Sequence, residues 1–199
     1  MNSRISIAVL IAANLVPVFG VLVWQWDVFA ILFLFWCENV AIGVFGILRT
    51  AIAGRGAHIL GGLFLAAFFS VHYGGFMFGH LMVLISLFGN DMSVNEVVMS
   101  LDRWTWIAIA ALFVSHAWSF IQNFLGQHEY EGLRPMGAMS MPYKRMAITH
   151  VALILGGFLL TGLDEPIAGL LLLLGLKIAL DVMFHRKEHV QLQQQRSNL

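Results

Sequence analysis

The sequence has little charge. Asp, Glu, Lys and Arg together account for 11% of its 199 residues, whereas soluble domains carry about a quarter. Hydrophobic residues account for 59%, so the composition indicates an integral membrane protein. The formal net charge is zero and the basic residues are not gathered into a patch. These features exclude nucleic acid as a partner.

Cysteine is nearly absent as well. The one cysteine, Cys37, lies inside a hydrophobic run, which excludes a disulfide framework and a cysteine-based zinc cluster within one chain. We interpret Cys37 as a small buried hydrophobic residue. A metal site in this chain would therefore have to use histidine and carboxylate ligands.

Long hydrophobic runs are what the sequence does contain. Runs long enough to cross about 30 Å of hydrocarbon predict six membrane-spanning helices. These predicted spans are 5–24, 27–48, 57–88, 104–126, 145–163 and 167–186. We expect an all-α, six-helix bundle that forms a single transmembrane domain over residues 1–189, followed by a polar cytoplasmic tail at 190–199.

The distribution of Lys and Arg predicts the orientation of the bundle. Arg103 alone falls on one side of the predicted spans. The other side carries Arg4, Arg49, Arg55, Arg134, Lys144, Arg145, Arg186, Lys187 and Arg196. The positive-inside rule then places both termini in the cytoplasm. Tryptophans at positions 24, 26, 104 and 106 mark the outer interface as an aromatic belt.

Three local features refine this topology. Ser93 and Glu96 have the spacing of a capping box and predict a short surface helix between the third and fourth spans. The third span is too long for one perpendicular crossing, so it must tilt, protrude or break, and Gly74–Gly75 is the candidate kink. Alternatively, Gly75 and Gly79 form a seam for close helix packing. The connection 126–144 fits a plain cytoplasmic loop or a partial lid.

Ionisable residues inside the predicted spans are the main functional signal, because each charge near the bilayer centre costs roughly 3 kcal/mol unless it is paired or neutralised. The predicted topology places them between mid-membrane and the cytoplasmic face. Lys177, Asp181 and His185 follow i, i+4, i+8 spacing and share one helix face. The full set is Glu38, His72, His116, His150, Lys177, Asp181 and His185.

The first hypothesis is an intramembrane enzyme that binds a divalent transition metal, zinc or iron, for hydrolytic or redox chemistry on a lipid or another small membrane-soluble substrate. Its predicted metal ligands are His72, His116, His150, Asp181 and His185. Glu38 would act as a general base and Lys177 would stabilise a developing anion. The remaining histidines, His58, His80, His128 and His189, are assigned no role.

Other functions use the same residues. The groups could form a relay in a transporter or a proton or metal-ion conduit. Haem could bind between His72 and either His116 or His150. A rhomboid-like helix arrangement also fits six spans. It would lack proteolytic activity, because the sequence has no GxSG motif. Lys177 could instead form a structural ion pair with Asp181 or Glu38. The site fits within one chain or at the interface of a homodimer.

The segment 145–150, followed by Gly156–Gly157, Lys177, Asp181 and His185, makes most of the chain similar to a family of small bacterial polytopic membrane proteins of unknown function. The resemblance implies a bacterial inner-membrane location and no particular activity. The mixture of histidines, carboxylates and serine on several helices also resembles, in outline only, the intramembrane zinc hydrolases of the ceramidase and progestin-receptor-like group, which have seven helices and different ligand spacing.

Overall fold

The computed structural model describes residues 28–55, 59–89, 92–162 and 175, which form helices and no strand. The helices are α1 (Val28–Ala53), α2 (Ile59–Phe88), α3 (Val94–Ser100), α4 (Arg103–Ser119) and α5 (Pro135–Gly162), and α4 continues as a π-helical segment, Phe120–Leu125. The predicted first span, the tail and nearly all of the sixth span lie outside the described residues, as do Lys177, Asp181 and His185.

Three of the described helices are long and apolar enough to cross a membrane. They cover Phe29–Ala53, Ile59–Phe88 and Arg103–Leu125, in good agreement with the second, third and fourth predicted spans. Large apolar side chains on α2 are openly exposed, among them Val71 at 78% and Phe64 at 69%. An apolar exposed surface of this kind is typical of helices that face lipid.

The chain divides into two compact units, residues 1–31 with 151–199 and residues 32–150. Of the first unit, the structure describes the beginning of α1, the end of α5 and residue 175. In the second unit α1 runs antiparallel to both α2 and α5. Its core is the buried cluster of Phe69, Tyr73, Met77 and Met146, surrounded by partly buried residues that include Trp36 and Tyr143.

Glycines on α1 allow its neighbours to approach closely. A Cβ atom at Gly43 would lie 2.8 Å from Cδ1 of Tyr73, and one at Gly46 would lie 2.8 Å from Cγ of Pro142. At Gly75 and Gly79, by contrast, no described atom lies within 4 Å of such a Cβ. The described helices therefore do not use the predicted Gly75 and Gly79 seam, and the close contacts are made from α1 instead.

The short helix predicted between the third and fourth spans is confirmed as α3. The Ser93 hydroxyl accepts a hydrogen bond from the Glu96 amide at 3.3 Å, and the Glu96 carboxylate accepts one from the Ser93 amide at 2.6 Å. This capping box satisfies two backbone donors that a helix start otherwise leaves free. These hydrogen bonds hold the pKa of Glu96 below its ordinary value. Asp102 is the N-cap residue of α4, and its carboxylate accepts a hydrogen bond from the Thr105 amide at 2.7 Å.

One helix narrows the sequence-based expectation and another contradicts it. Helix α2 is one continuous helix of 30 residues, about 45 Å long at 1.5 Å per residue, so of the three predicted outcomes tilting and protrusion remain and a break at Gly74–Gly75 does not occur. Helix α5 begins at Pro135 and contains Pro142, so half of the connection predicted at 126–144 is helical. The prediction of a loop there was wrong: Pro142 packs against Gly46, and Met139 and Tyr143 pack against the buried cluster, so tertiary burial favours the helix despite the hydrogen bond that a proline removes.

Candidate functional site

The most distinctive polar contact of the described chain joins two histidines on facing helices. Nε2 of His80 on α2 contacts Nδ1 of His150 on α5. The rings are nearly parallel, with an interplanar angle of 17° and centroids 4.4 Å apart. His80 is only 6% exposed. Because the two nitrogens face each other, one must carry a proton and the other must accept it.

Helix α1 holds the backbones that carry this pair. The indole Nε1 of Trp36 donates to the carbonyl oxygen of Met77 at 2.7 Å, close to His80. Nδ2 of Asn39 donates to Oγ1 of Thr149 at 2.8 Å, beside His150. The Tyr73 hydroxyl donates in turn to the Asn39 carbonyl oxygen at 3.0 Å. These bonds fix α2 and α5 at the level of the two imidazoles.

Aromatic contacts shape the environment of the histidine pair. The ring of Phe76 meets His80 and His150 edge-on, with centroid distances of 5.3 and 6.0 Å. Asn39 is 2% exposed, and its Oδ1 has no hydrogen-bond partner among the described residues. A buried amide oxygen without a partner costs free energy. The Asn39 side chain therefore offers an unused hydrogen-bond acceptor next to Thr149, the neighbour of His150.

A second imidazole contact lies two turns away along the same helix interface. Nδ1 of His72 and the hydroxyl oxygen of Tyr143 are 2.8 Å apart. Phe68 stacks on His72 at a centroid distance of 5.5 Å. Eight residues separate His72 from His80, a rise of about 12 Å along α2. The interface between α2 and α5 therefore carries a histidine pair at one level and a histidine–tyrosine pair at another.

His116 lies elsewhere. It is on α4, where its ring faces Phe45 of α1 at a centroid distance of 6.4 Å. The Glu38 carboxylate, also on α1, interacts with it electrostatically. His72, His116 and His150 thus occupy three separate contacts, and the described residues contain no group of three or more His, Cys, Asp or Glu side chains that could hold a metal ion.

His80 is the residue that the sequence analysis left without a role. The sequence does contain a spacing that predicts the contact of His80. His72 and His80 are eight residues apart on α2, and Tyr143 and His150 are seven residues apart, so each couple falls on one face of its helix. The match is recognisable only when α5 is known to begin before Tyr143. With the fifth span placed at 145–163, Tyr143 fell in a loop and His150 lay too near the helix start to meet His80.

An apolar groove runs between α1 and α2 beside this interface. Its volume is about 310 Å³. Glycines 43 and 74 deepen it, Trp36 and Phe78 form part of its walls, and Ser70 contributes a hydroxyl. The Ser70 hydroxyl already donates to the Ala66 carbonyl oxygen at 2.8 Å. The groove therefore offers almost purely apolar contact.

The described residues define a class, a helical protein with three helices long and apolar enough to cross a membrane and a histidine pair between two of its helices. The chain belongs to the family of unknown function DUF6498, whose family model matches residues 1–198. The sequence-based prediction of a family without assigned function is thereby confirmed. No curated protein and no solved structure matches the chain.

Proposed function

We propose that the chain is a transporter or conduit of a bacterial inner membrane in which His80 and His150 exchange protons. The observation that carries this proposal is the direct contact between Nε2 of His80 and Nδ1 of His150. Imidazole titrates near neutral pH and can take a proton on one nitrogen while releasing one from the other. Burial of His80 keeps bulk water from competing for its ring nitrogens.

The contact between His72 and Tyr143 supports a path along the helix interface rather than an isolated histidine pair. The His72 ring and the Tyr143 hydroxyl can each donate and accept a hydrogen bond. His72 is exposed and Tyr143 is partly buried, so this pair is the more accessible of the two. No hydrogen bond between described side chains joins the two pairs, and a proton moving between them would use water or the transported solute.

Proton flux into proteoliposomes tests the proposal. The purified full chain is reconstituted with an internal pH-sensitive dye, and a potassium diffusion potential drives proton entry. We expect His80→Gln and His150→Gln each to lower the flux by about a hundredfold, the contribution typical of a positioned proton-transfer group. The double variant should lose no more than either single variant, because the two rings act as one unit.

The matched control is His128→Gln. His128 lies in the connection after the π-helical segment, with its side chain 60% exposed, and its replacement should leave the flux unchanged. Wild-type flux in the His80→Gln/His150→Gln double variant would overturn the proposal, provided that the variant elutes as the wild type does in size-exclusion chromatography.

A second candidate is the metal-dependent enzyme, favoured by the same two imidazole nitrogens because histidine is the commonest metal ligand. Zinc and iron sites usually take three or more ligands from the protein, and the further predicted ligands Asp181 and His185 lie outside the described residues, so we place this candidate second. The roles predicted for Glu38 and Lys177 belong to it. Elemental analysis decides: zinc or iron at one ion per chain, lost in both His80→Ala and His150→Ala, would favour the enzyme.

A further inference from the structure

A ladder of polar side chains follows one face of α4 and its π-helical continuation. Its members recur every three or four residues, the spacing that keeps side chains on one side of a helix. The ladder consists of His116, Ser119, Asn123 and Gln127. Leu125 ends the candidate membrane span, so His116, nine residues earlier, lies about 13 Å inside it. The ladder therefore extends from the end of the span into its apolar part.

Hydrogen bonds join three members of the ladder and leave part of their capacity unused. Nε2 of Gln127 donates to Oδ1 of Asn123 at 3.1 Å, and Nδ2 of Asn123 donates to Oγ of Ser119 at 3.2 Å. The hydroxyls of Thr50 and Ser70 each donate to the carbonyl oxygen four residues earlier, whereas the Ser119 hydroxyl makes no such bond within the described residues. Because an amide nitrogen carries two protons and a hydroxyl carries one, the ladder retains donors for a further partner.

The exposure of α4 shows that the ladder does not face the lipid. His116, Ser119 and Asn123 are each partly buried. The apolar side chains of Val114 and Ile121 are instead exposed, at 68% and 53%. In a membrane span, apolar side chains face the lipid and polar ones face the protein interior or a water-filled cavity. The ladder has the burial of such an inward face.

The helix is widened where the ladder lies. Phe120–Leu125 is π-helical, and the Gly126 amide donates to the carbonyl oxygen of Ile121, five residues earlier, at 2.9 Å. Single π-helical turns are rare and frequently mark functional sites. At the inner end of the ladder, His116 interacts electrostatically with the Glu38 carboxylate of α1. The ladder therefore leads from the end of the span to an imidazole and a carboxylate.

We propose that the ladder lines a hydrated crevice, in which bound water reaches from the connection after α4 to His116 and Glu38. Water both donates and accepts hydrogen bonds, and a buried water typically makes about three of them to groups that lack other partners. The unused donors of the amides and of the Ser119 hydroxyl meet this requirement. The crevice uses neither His80 nor His150, so it is independent of the proposed function.

Cysteine labelling in isolated membranes tests the crevice. In a full-length Cys37→Ala chain, single cysteines are introduced by Ser119→Cys and Ile121→Cys, and membranes open on both sides are treated with a hydrophilic thiosulfonate. Thiolate is the reactive form of cysteine, and apolar surroundings raise the pKa of a thiol. We expect Ser119→Cys to react at least about tenfold faster than Ile121→Cys. Ile121 is the matched control because it is exposed and nearer the helix end, so exposure and depth alone predict the opposite order.

A further substitution tests whether the water path passes along the ladder. Asn123→Leu in the Ser119→Cys chain removes an amide between residue 119 and the helix end, and labelling should lose most of its advantage over Ile121→Cys. Gln122→Leu removes the neighbouring amide outside the ladder and should leave the rate unchanged. A rate for Ser119→Cys no higher than that for Ile121→Cys would show that no crevice is present. An unchanged rate in Asn123→Leu, or equal slowing in Gln122→Leu, would equally refute the path. The comparison of Ser119→Cys with Ile121→Cys carries the test if Asn123→Leu fails to fold.

Discussion

At the scale of single residues, the packing at Gly43 leaves no room for a larger side chain. An added Cβ would lie 2.8 Å from Cδ1 of Tyr73 and closer still to its Cε1. The rigid ring cannot yield without disturbing the hydrogen bond from Tyr73 to the Asn39 carbonyl oxygen. We expect Gly43→Ala to destabilise the protein by about 1–3 kcal/mol, as overpacking of a core does. Thermal unfolding in detergent measures the effect.

The control for that substitution is Gly79→Ala on α2. No described atom lies within 4 Å of a Cβ there, so the change removes backbone freedom without creating a clash. Alanine in a helix is favoured over glycine by roughly 0.5–1 kcal/mol, and the variant should unfold at the wild-type temperature or slightly above it. A lower unfolding temperature for Gly79→Ala than for Gly43→Ala would contradict this packing.

Single residues also mark how far the sequence could predict the site. The cost of a charge inside the membrane predicted that His72, His116 and His150 need polar partners. The structure gives His72 and His150 hydrogen-bonding partners, and Glu38 interacts electrostatically with His116. The partners themselves were not predictable from residue type. Tyr143 carries no charge and His80 was assigned no role, because the register between helices depends on packing that one sequence does not encode locally.

At the scale of elements, the capping box of α3 makes this helix sensitive to pH. Hydrogen bonds to Ser93 hold the pKa of Glu96 below its ordinary value. A lowered folded-state pKa means that the carboxylate stabilises the helix above its unfolded-state pKa. That contribution is lost as the pH falls through the folded-state pKa. We expect amide hydrogen exchange in Val94–Ser100, corrected for its intrinsic pH dependence, to lose protection at acidic pH.

Two substitutions separate the halves of this box. Ser93→Ala removes the N-cap acceptor and should speed exchange in α3 by roughly fivefold at neutral pH, because an N-cap contributes about 1 kcal/mol. Glu96→Gln should remove the pH dependence while keeping part of the protection, since an amide oxygen can still accept from the Ser93 amide. A pH dependence that persists in Glu96→Gln would assign it to another group.

The start of α5 shows why element boundaries were harder to predict than elements. Hydropathy identified the second, third and fourth spans closely, because a membrane-spanning helix needs a long apolar run. The polar composition around Pro135 and Pro142 resembles a loop by the same criterion. Pro142 packs against Gly46 and Tyr143 packs against the buried cluster, and this tertiary packing outweighs a local sequence preference against helix.

At the scale of the whole molecule, the charge distribution and the helix directions agree with one another. Within residues 32–150, α1 is antiparallel to α2 and α5. Trp36 meets Met77 while Gly43 meets Tyr73, and Asn39 meets Thr149 while Gly46 meets Pro142. Arg49, near the end of α1, and Arg145, in the first half of α5, consequently lie in the same half of this unit. Lys and Arg on one side of apolar helices are the signal on which the positive-inside rule depends, so the positions of these two arginines are consistent with the predicted cytoplasmic side.

Cysteine accessibility in intact bacterial cells tests the predicted six spans with both termini in the cytoplasm. In a Cys37→Ala background, single cysteines are introduced by Asn2→Cys, Ser93→Cys, Gln127→Cys and Ser197→Cys and treated with a membrane-impermeant maleimide. Ser93 and Gln127 are exposed, so accessibility there reports on the side of the membrane rather than on burial. We expect the cysteine at 93 alone to be labelled in intact cells, and all four after lysis. Labelling at 2 or at 197 in intact cells would place a terminus outside and require an odd number of spans or the reverse orientation.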